Sequence, residues 1–274
     1  MKKRRFIIPS ILIALIGSAA AAVAVTASKN VHAMNNVADE GLYIIGKYYN
    51  VTPCEPNEYT DITMNDVMKF HTDKYRIENL GNLSVMTTNM GAMQMISFMI
   101  TPFEKKMPLC TFDFMYIMGT RKSYAEFYDL VPDASTDEYK DILDALREVQ
   151  SKYADIEEIP ASENWYDNYL NVFMHKKLTR KNDDTNLQLF SDTLTAYLEA
   201  SVSVPVNSAE DTASQLEIIE SYSNGLIENG GISTDFFKKN LGEDTTRDFF
   251  NKTFFGTDDY RVTTERIDPV VTDK

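Results

Sequence analysis

The alternation of apolar and polar residues divides the chain into an amphipathic helix, a block of strands and a second block of helices. From Met34 to Tyr49, apolar residues recur every three or four positions, which predicts a helix with one buried face. Strand signals replace this period from Lys74 onward. The predicted strands are rich in Met, Ile, Phe, Tyr and Thr and cover residues 74–80, 83–89, 92–101, 109–119 and 122–131.

The connections between these strands are short, from two to seven residues. They cannot hold a crossover helix, so we expect the strands to form an antiparallel meander. The third strand is apolar on both faces, since Met95 and Met99 lie on one side and Ile96 and Phe98 on the other. Both faces of the sheet must therefore be covered.

Amphipathic stretches around the strand block supply this cover. A capping-box sequence, Ser135 to Glu138, opens a helix shortly after Pro132, and Gly242 stands where a later helix should end. The helices predicted after the first one lie near residues 64–71, 135–153, 165–173, 187–198, 216–226, 236–241 and 249–254.

This order of elements predicts an α/β fold, namely an α/β/α sandwich with a central antiparallel sheet flanked by helices. We expect a single domain over residues 34–256, followed by a loose polar tail over residues 257–274. The length of the chain is compatible with one hydrophobic core of ordinary size.

The first 33 residues differ from the rest of the chain. Lys2 to Arg5 precede an apolar run from Phe6 to Thr26, and Val31-His32-Ala33 offers a small-residue cleavage site. The apolar run is close to the roughly 20 residues that span a bilayer. Residues 1–33 therefore predict export, through either a cleaved signal peptide or a retained membrane anchor, and an extracytoplasmic body that is secreted or membrane-anchored.

The chain is acidic, with 27 Lys and Arg residues against 41 Asp and Glu residues and a net charge of −14. An acidic surface repels phosphate backbones, which argues against nucleic-acid binding. Cys54 and Cys110 allow one disulfide bond at most, and their spacing does not establish that they pair. With three histidines and no HExxH or CxxC motif, the sequence predicts no metal site.

Asp113 is the strongest candidate for chemistry. Alternation along its strand places it on one face with Leu109 and Met115, among apolar neighbours. Burial raises the pKa of a carboxyl, so Asp113 is predicted to carry a proton near neutral pH and to act as a general acid. A two-residue loop after Gly119 would put Tyr128 opposite Asp113. In the alternative interpretation, Asp113 only makes hydrogen bonds that shape the sheet.

Several motifs occur in a fixed order between Lys74 and Phe255. They are an apolar strand ending in Pro102, a Pro-Leu-x-x-x-Asp strand from Pro108 to Asp113, and an Asp-Leu-x-Pro strand end from Asp129 to Pro132. A closing segment, Phe236 to Phe250, contains Gly-Glu before its last phenylalanines. In this order the motifs resemble the ferredoxin-dependent bilin reductases, with red chlorophyll catabolite reductase as a more distant relative.

The resemblance implies that a linear tetrapyrrole, or a similar planar hydrophobic ligand, binds between the sheet and the carboxyl-terminal helices. It also implies that no metal or flavin is bound, that electrons arrive singly from reduced ferredoxin or another one-electron donor, and that Asp113 donates a proton. The methionines would otherwise fill the core. The residues expected to contact the ligand are Ser97, Met95, Met99, Met115, Tyr128 and Phe250.

The sequence departs from the family at two polar positions. Ser97 stands where the family holds His or Asn, and the second family aspartate falls near Gly231, with Glu228 close by. Ferredoxin is acidic, so its docking would need a basic patch such as His175 to Lys181. A second hypothesis therefore stays open, in which the chain is a non-catalytic extracellular surface protein that retains the fold and uses its acidic exterior for protein contacts.

Overall fold

The structure is a computed structural model that describes residues 7–91, 93–160 and 163–265. Within these ranges, side chains are described from residue 24 to residue 261, except that of Ile232. The predicted signal peptide or anchor at residues 1–33 lies partly outside the described residues, as does the end of the chain, 266–274. In the part of the chain that is described, we find no helix long and apolar enough to cross a membrane.

Eight strands of the described chain form one antiparallel sheet. They are β1 (Val51–Pro53), β2 (Asp61–Met64), β3 (Met68–Ile77), β4 (Gly81–Asn89), β5 (Met93–Pro102), β6 (Leu109–Ile117), β7 (Thr120–Tyr128) and β8 (Leu170–Thr179). The order along the sheet is β1-β3-β4-β5-β6-β7-β8, and β2 also pairs with β3. From β3 to β8 each strand pairs with the next, which is the predicted meander with one further strand.

Helices cover both faces of this sheet. They are α1 (Ile7–Tyr48), α2 (Asp137–Lys152), α3 (Asp183–Ser201), α4 (Ala209–Asn229), α5 (Ile232–Leu241), α6 (Glu243–Phe249) and α7 (Thr257–Glu265). A 3-10 turn at Trp165–Tyr169 precedes β8, and a π-helical turn at Phe250–Phe254 follows α6. The predicted α/β/α sandwich is confirmed, because helical layers lie on both sides of an antiparallel sheet.

The face of the sheet covered by α1, α2 and α3 is a filled apolar core, which we call the closed face. Phe98 of β5 and Phe112 and Phe114 of β6 surround Phe190 of α3. Their ring centroids lie 5.4, 4.8 and 5.7 Å from that of Phe190, and all three contacts are edge-to-face. Aromatic rings prefer this geometry, so the contacts add to the stabilisation from burial.

The opposite face, covered by α4 to α7, is the open face. The alternate residues of the same strands, including Met95 and Ser97 of β5 and Asp113 and Met115 of β6, point toward it. Apolar residues of α4 to α7 pack into a second core that includes Phe70 and Leu109, and the rest of this face borders a cavity. The two predicted faces of β5 and β6 are thus confirmed.

Helix α1 is continuous across the predicted cleavage site at Ala33. Asn30 is fully buried against the closed face, and its Nδ2 donates a hydrogen bond to Oε1 of Gln94 at 2.8 Å. Gln94 in turn donates to the side chain of Asn89 and to the carbonyl of Gly91. The helix therefore contacts the sheet through residues on both sides of position 33.

The helix predicted near residues 64–71 is wrong, because this segment forms β2 and the start of β3. Met64 pairs directly with Met68, and the turn between them places Asn65 and Asp66 at positive φ, 49° and 59°. A three-residue loop brings residues four apart side by side, as one turn of a helix does. The apolar spacing alone could not distinguish the two structures.

The helix predicted from Trp165 to Phe173 is also wrong. A single 3-10 turn is followed by β8, whose residues alternate between the two faces. Val172 and Met174 enter the closed core, while Phe173 and His175 face the other way. The apolar spacing that predicted a helix combines residues of two different elements, the 3-10 turn and β8.

The end of the chain differs from the loose tail predicted for residues 257–274. Residues 257–265 form α7, and Tyr260 is buried and stacks on Phe103 with a centroid distance of 4.0 Å. Gly242 ends α5 at a φ of 87°, as predicted. Thr136, one residue after the predicted start of the capping box, caps α2 by accepting a hydrogen bond from the Tyr139 N–H. Both cysteines are free thiols.

Candidate functional site

A cavity of about 550 Å³ lies between the open face of the sheet and the carboxyl-terminal helices. Alternate residues of β5 to β8 form its floor, and residues of α4, α5, α6 and the π-helical turn form its roof. The structure brings all seven predicted site residues to the wall of this one cavity. They are Asp113, Ser97, Met95, Met99, Met115, Tyr128 and Phe250.

Asp113 lies in the middle of the floor. It is directly opposite Ser97 on β5, and its carboxyl group is hydrogen-bonded to the Ser97 hydroxyl. Burial raises the pKa of Asp113 to about 6, the Ser97 hydrogen bond opposes this rise, and the charge of Glu126 adds to it. A carboxyl group with this pKa is partly protonated near neutral pH.

The neighbour of Asp113 on β7 is Tyr124, and the prediction that Tyr128 lies opposite it is wrong. The hairpin turns at Met118–Gly119, two residues earlier than predicted, because Met118 adopts a φ of 54°. A register error of an even number of residues keeps every side chain on its face. Tyr128 therefore lines the cavity as predicted, and Glu126, on the same face of β7, lines it as well.

Four polar side chains lie in a row across the floor. Ser97 on β5, Asp113 on β6, Tyr124 on β7 and His175 on β8 are direct partners in successive strand pairs. The rings of Tyr124 and His175 meet edge-to-face at 5.1 Å. The row extends from the middle of the sheet to β8, the last strand in the order, so it connects the interior of the cavity with one side of the sheet.

Glu126 and His175 form a second polar cluster beside this row. Nε2 of His175 lies 2.8 Å from Oε1 of Glu126, and the hydroxyl of Tyr128 donates to Oε2 of Glu126 at 2.6 Å. Burial raises the pKa of Tyr128 far above its usual value, which keeps the phenol neutral and able to donate. Sequence reasoning did not assign His175 to the site, because its strand was predicted as part of a helical region; the alternation of β8 was the signal that could have found it.

Aromatic rings form the part of the roof above Tyr128. Tyr222 of α4 lies at the centre of this group, with ring centroids 5.5 to 6.4 Å from those of Tyr128, Trp165, Tyr166 and Tyr169. Burial raises the pKa of Tyr222 well above its usual value and that of Tyr166 to about 12, so both phenols are neutral. This part of the cavity wall thus consists of apolar aromatic rings that carry neutral hydroxyl groups.

Phenylalanines form the other part of the roof. Phe237 of α5 and Phe249 of α6 stack with a centroid distance of 5.2 Å and an interplanar angle of 28°. The π-helical turn that follows is closed by a hydrogen bond from the N–H of Phe255 to the carbonyl of Phe250 at 2.8 Å. This turn brings Phe250, Phe254 and Phe255 to the cavity wall.

Flat aromatic walls, a methionine floor and a few polar groups suit a planar, largely apolar ligand that also makes hydrogen bonds. Asp113, Glu126 and His175 are ionisable side chains that face this space. Among the described residues, no group of three or more His, Cys, Asp and Glu side chains is placed to hold a metal ion.

Two further expectations from the sequence concern the position of the second family aspartate and the basic segment from His175 to Lys181. Gly231 lines the cavity, but Glu228 is exposed and does not line it. In the basic segment that begins at His175, Lys176 pairs with Glu158 and Lys177 pairs with Glu157. These contacts neutralise part of the positive charge that a docking patch for an acidic donor would need.

The comparison of this chain with known proteins gives a similarity of fold. No family model matches this sequence, and no curated protein matches it. A solved structure that matches is the selenomethionine crystal structure of phytochromobilin synthase from tomato in complex with biliverdin. The two chains share 14% identity with a TM-score of 0.66, and the match covers 80% of this chain and 82% of that chain. The likeness shows a distant bilin reductase-like fold.

Proposed function

We propose that this chain binds a linear tetrapyrrole, or a similar planar hydrophobic ligand, in the cavity of the open face. The observation that carries the proposal is an aromatic-walled cavity of about 550 Å³ that reaches Asp113. The fold supports it, because the similar phytochromobilin synthase structure is a complex with biliverdin. A well-filled gap between sheet and helices would have favoured the second hypothesis, the non-catalytic surface protein.

The proposal includes reduction of the bound ligand, with Asp113 as a proton donor. The pKa of about 6 supports this role, because a group that titrates near the working pH transfers protons efficiently. Electrons come singly from reduced ferredoxin or another one-electron donor, and the chain holds no cofactor of its own. Residues 1–33 export this domain as a signal peptide or a membrane anchor, so the donor acts outside the cytoplasm.

An absorbance titration of the purified full-length chain with biliverdin, bilirubin and haem tests ligand binding. We expect a saturable red shift of the absorbance of a linear tetrapyrrole. Asp113→Asn should still bind it but with a changed spectrum, because the ionisable neighbour of the ligand is lost. Asp73→Asn, at an exposed position on β3 away from the cavity, is the matched control. A flat titration with all three compounds would refute binding and favour the surface protein.

A further inference from the structure

Glu126 and His175 are a mostly buried, hydrogen-bonded couple on the cavity wall, separate from Asp113. Their side chains are 18% and 12% exposed, and both line the cavity. Both oxygens of Glu126 are engaged, one by His175 and the other by the hydroxyl of Tyr128. Because the partners lie on adjacent strands, the sheet itself fixes their separation.

A structural role alone does not account for this couple. Moving a carboxylate and an imidazolium out of water costs free energy that their attraction does not reliably recover. The fold does not require charge at this level of the floor, since Phe173 of β8 and Leu109 of β6 are apolar neighbours on the same face. Charges that are costly to bury and that face an open cavity are typical of functional sites.

The couple and Asp113 differ in partner and in place. Asp113 is hydrogen-bonded to Ser97 in the middle of the sheet, whereas His175 lies on β8, the last strand in the order of the sheet. Glu126 is opposite Thr111, which lies two residues before Asp113 on β6. The two acids are close enough for the charge of Glu126 to raise the pKa of Asp113. A single ligand in the cavity can therefore face two separate ionisable groups.

We propose that Glu126 and His175 together hold a second transferable proton for the bound ligand. The inference rests on the proposed function. Saturation of one double bond breaks a π bond and forms two bonds to hydrogen, which takes two electrons and two protons. The one-electron donor supplies the electrons in two steps, and Asp113 releases one proton to become a carboxylate. The protonated couple releases the other and becomes a neutral imidazole beside the Glu126 carboxylate, until solvent protonates both groups again.

The remaining ionisable groups on the cavity wall define the controls. Burial raises the pKa values of Tyr124, Tyr128, Tyr166 and Tyr222, so these phenols stay neutral. Asp167 accepts a hydrogen bond from the backbone N–H of Asn164 at 2.8 Å. Asp167→Asn is the control for the loss of another acid in the cavity wall. Glu157→Gln is the control for the loss of an exposed ion pair, because Glu157 pairs with Lys177 of β8, the strand that holds His175.

The test is a pH titration of the absorbance of biliverdin bound to the full-length chain, between about pH 5 and about pH 9. We expect two transitions in the wild type. Asp113→Asn should remove one transition, Glu126→Gln and His175→Gln should each change the other, and both controls should leave the two transitions as in the wild type. With dithionite as the electron source, Glu126→Gln and His175→Gln should slow biliverdin reduction about tenfold or more. The Kd for biliverdin should change less than about threefold.

The outcomes separate this inference from the proposed function. If biliverdin binds but Glu126→Gln and His175→Gln titrate and react like the wild type, the couple is structural and the inference is overturned, while the proposed function stands. If biliverdin does not bind to the wild type, the proposed function fails and the inference fails with it. Circular dichroism checks the fold of each variant, and only variants that fold like the wild type are used to decide between these outcomes.

Discussion

Strands β5 and β6 alternate between two different environments. On the closed face, Phe112 and Phe114 pack edge-to-face around Phe190 and leave a filled core. On the open face, the residues between them, such as Ser97 and Asp113, border a cavity of about 550 Å³. The same two strands thus carry a well-packed surface and an incompletely packed one, separated by the thickness of a single sheet.

The comparison shows how a fold of this kind can hold an ionisable group beside apolar side chains. Burial of apolar surface is the dominant favourable contribution to folding, and the closed face supplies it without any residue of the cavity. Polar and ionisable side chains on the open face then destabilise the domain without preventing it from folding.

The largest expected effect comes from truncating one large side chain on each face in turn. Phe112→Ala should lower the free energy of unfolding by about 3–5 kcal/mol, because it leaves a void among rings that cannot close in. Met115→Ala, on the same strand and facing the cavity, should cost about 1 kcal/mol or less. Chemical denaturation monitored by circular dichroism measures both. Equal losses would show that the open face is as well packed as the closed one.

A smaller effect, of opposite sign, is expected from Asp113→Asn. The folded-state pKa of Asp113, about 6, is raised above its ordinary value of 3.8, so ionisation of Asp113 destabilises the folded state as the pH rises through 6. One pKa unit corresponds to about 1.4 kcal/mol, so above about pH 7 the variant should be more stable than the wild type by up to about 3 kcal/mol.

Below about pH 3 the carboxyl group is protonated in both the folded and the unfolded chain, and the difference between Asp113→Asn and the wild type should vanish. Thermal unfolding at a series of pH values measures this dependence, and Asp73→Asn is the control at an exposed position. A variant that is less stable than the wild type at about pH 8 would mean that hydrogen bonds favour the ionised form.

The smallest expected effect tests whether the start of α1 belongs to the closed face. A chain that begins at Met34 loses Asn30 and leaves Oε1 of the buried Gln94 without its donor. It should therefore be less stable than a chain that begins at Ala27 by about 1–2 kcal/mol. Denaturant midpoints of the two chains measure the difference, and Asn30→Ala in the longer chain isolates the hydrogen bond. Equal midpoints would remove Asn30 from the closed face.

The sequence was sufficient to predict the two faces of β5 and β6. Side chains in a strand repeat with a period of two, so Asp113, Ser97 and Met95 fall on one face whichever strand pairs with them. The predicted pairing of Asp113 with Tyr128 was four residues out of register, because the observed partner is Tyr124, yet the shared face was right. Alternation therefore identifies a common wall without knowledge of the exact partners.

Other parts of the site could not be read from the sequence in this way. His175 was missed because the apolar spacing from Trp165 to Phe173 imitates a helix, although the chain turns once and then becomes a strand. Tyr124 depends on where the hairpin turns, which is decided by the positive φ of Met118. The cavity itself depends on how far the rings of α4 to α6 approach the sheet, and periodicity contains no such distance.

The π-helical turn at Phe250–Phe254 makes the shape of the cavity sensitive to the gain or loss of a single residue. Its closing bond joins residues five apart, one more than in an α-helix, so the turn is equivalent to a single inserted residue. Deleting one residue there would rotate Phe254 and Phe255 by about 100° around the helix axis and carry them away from the cavity. The shape of the cavity can thus change by single insertions or deletions in the roof while the sheet and its ionisable floor stay unchanged.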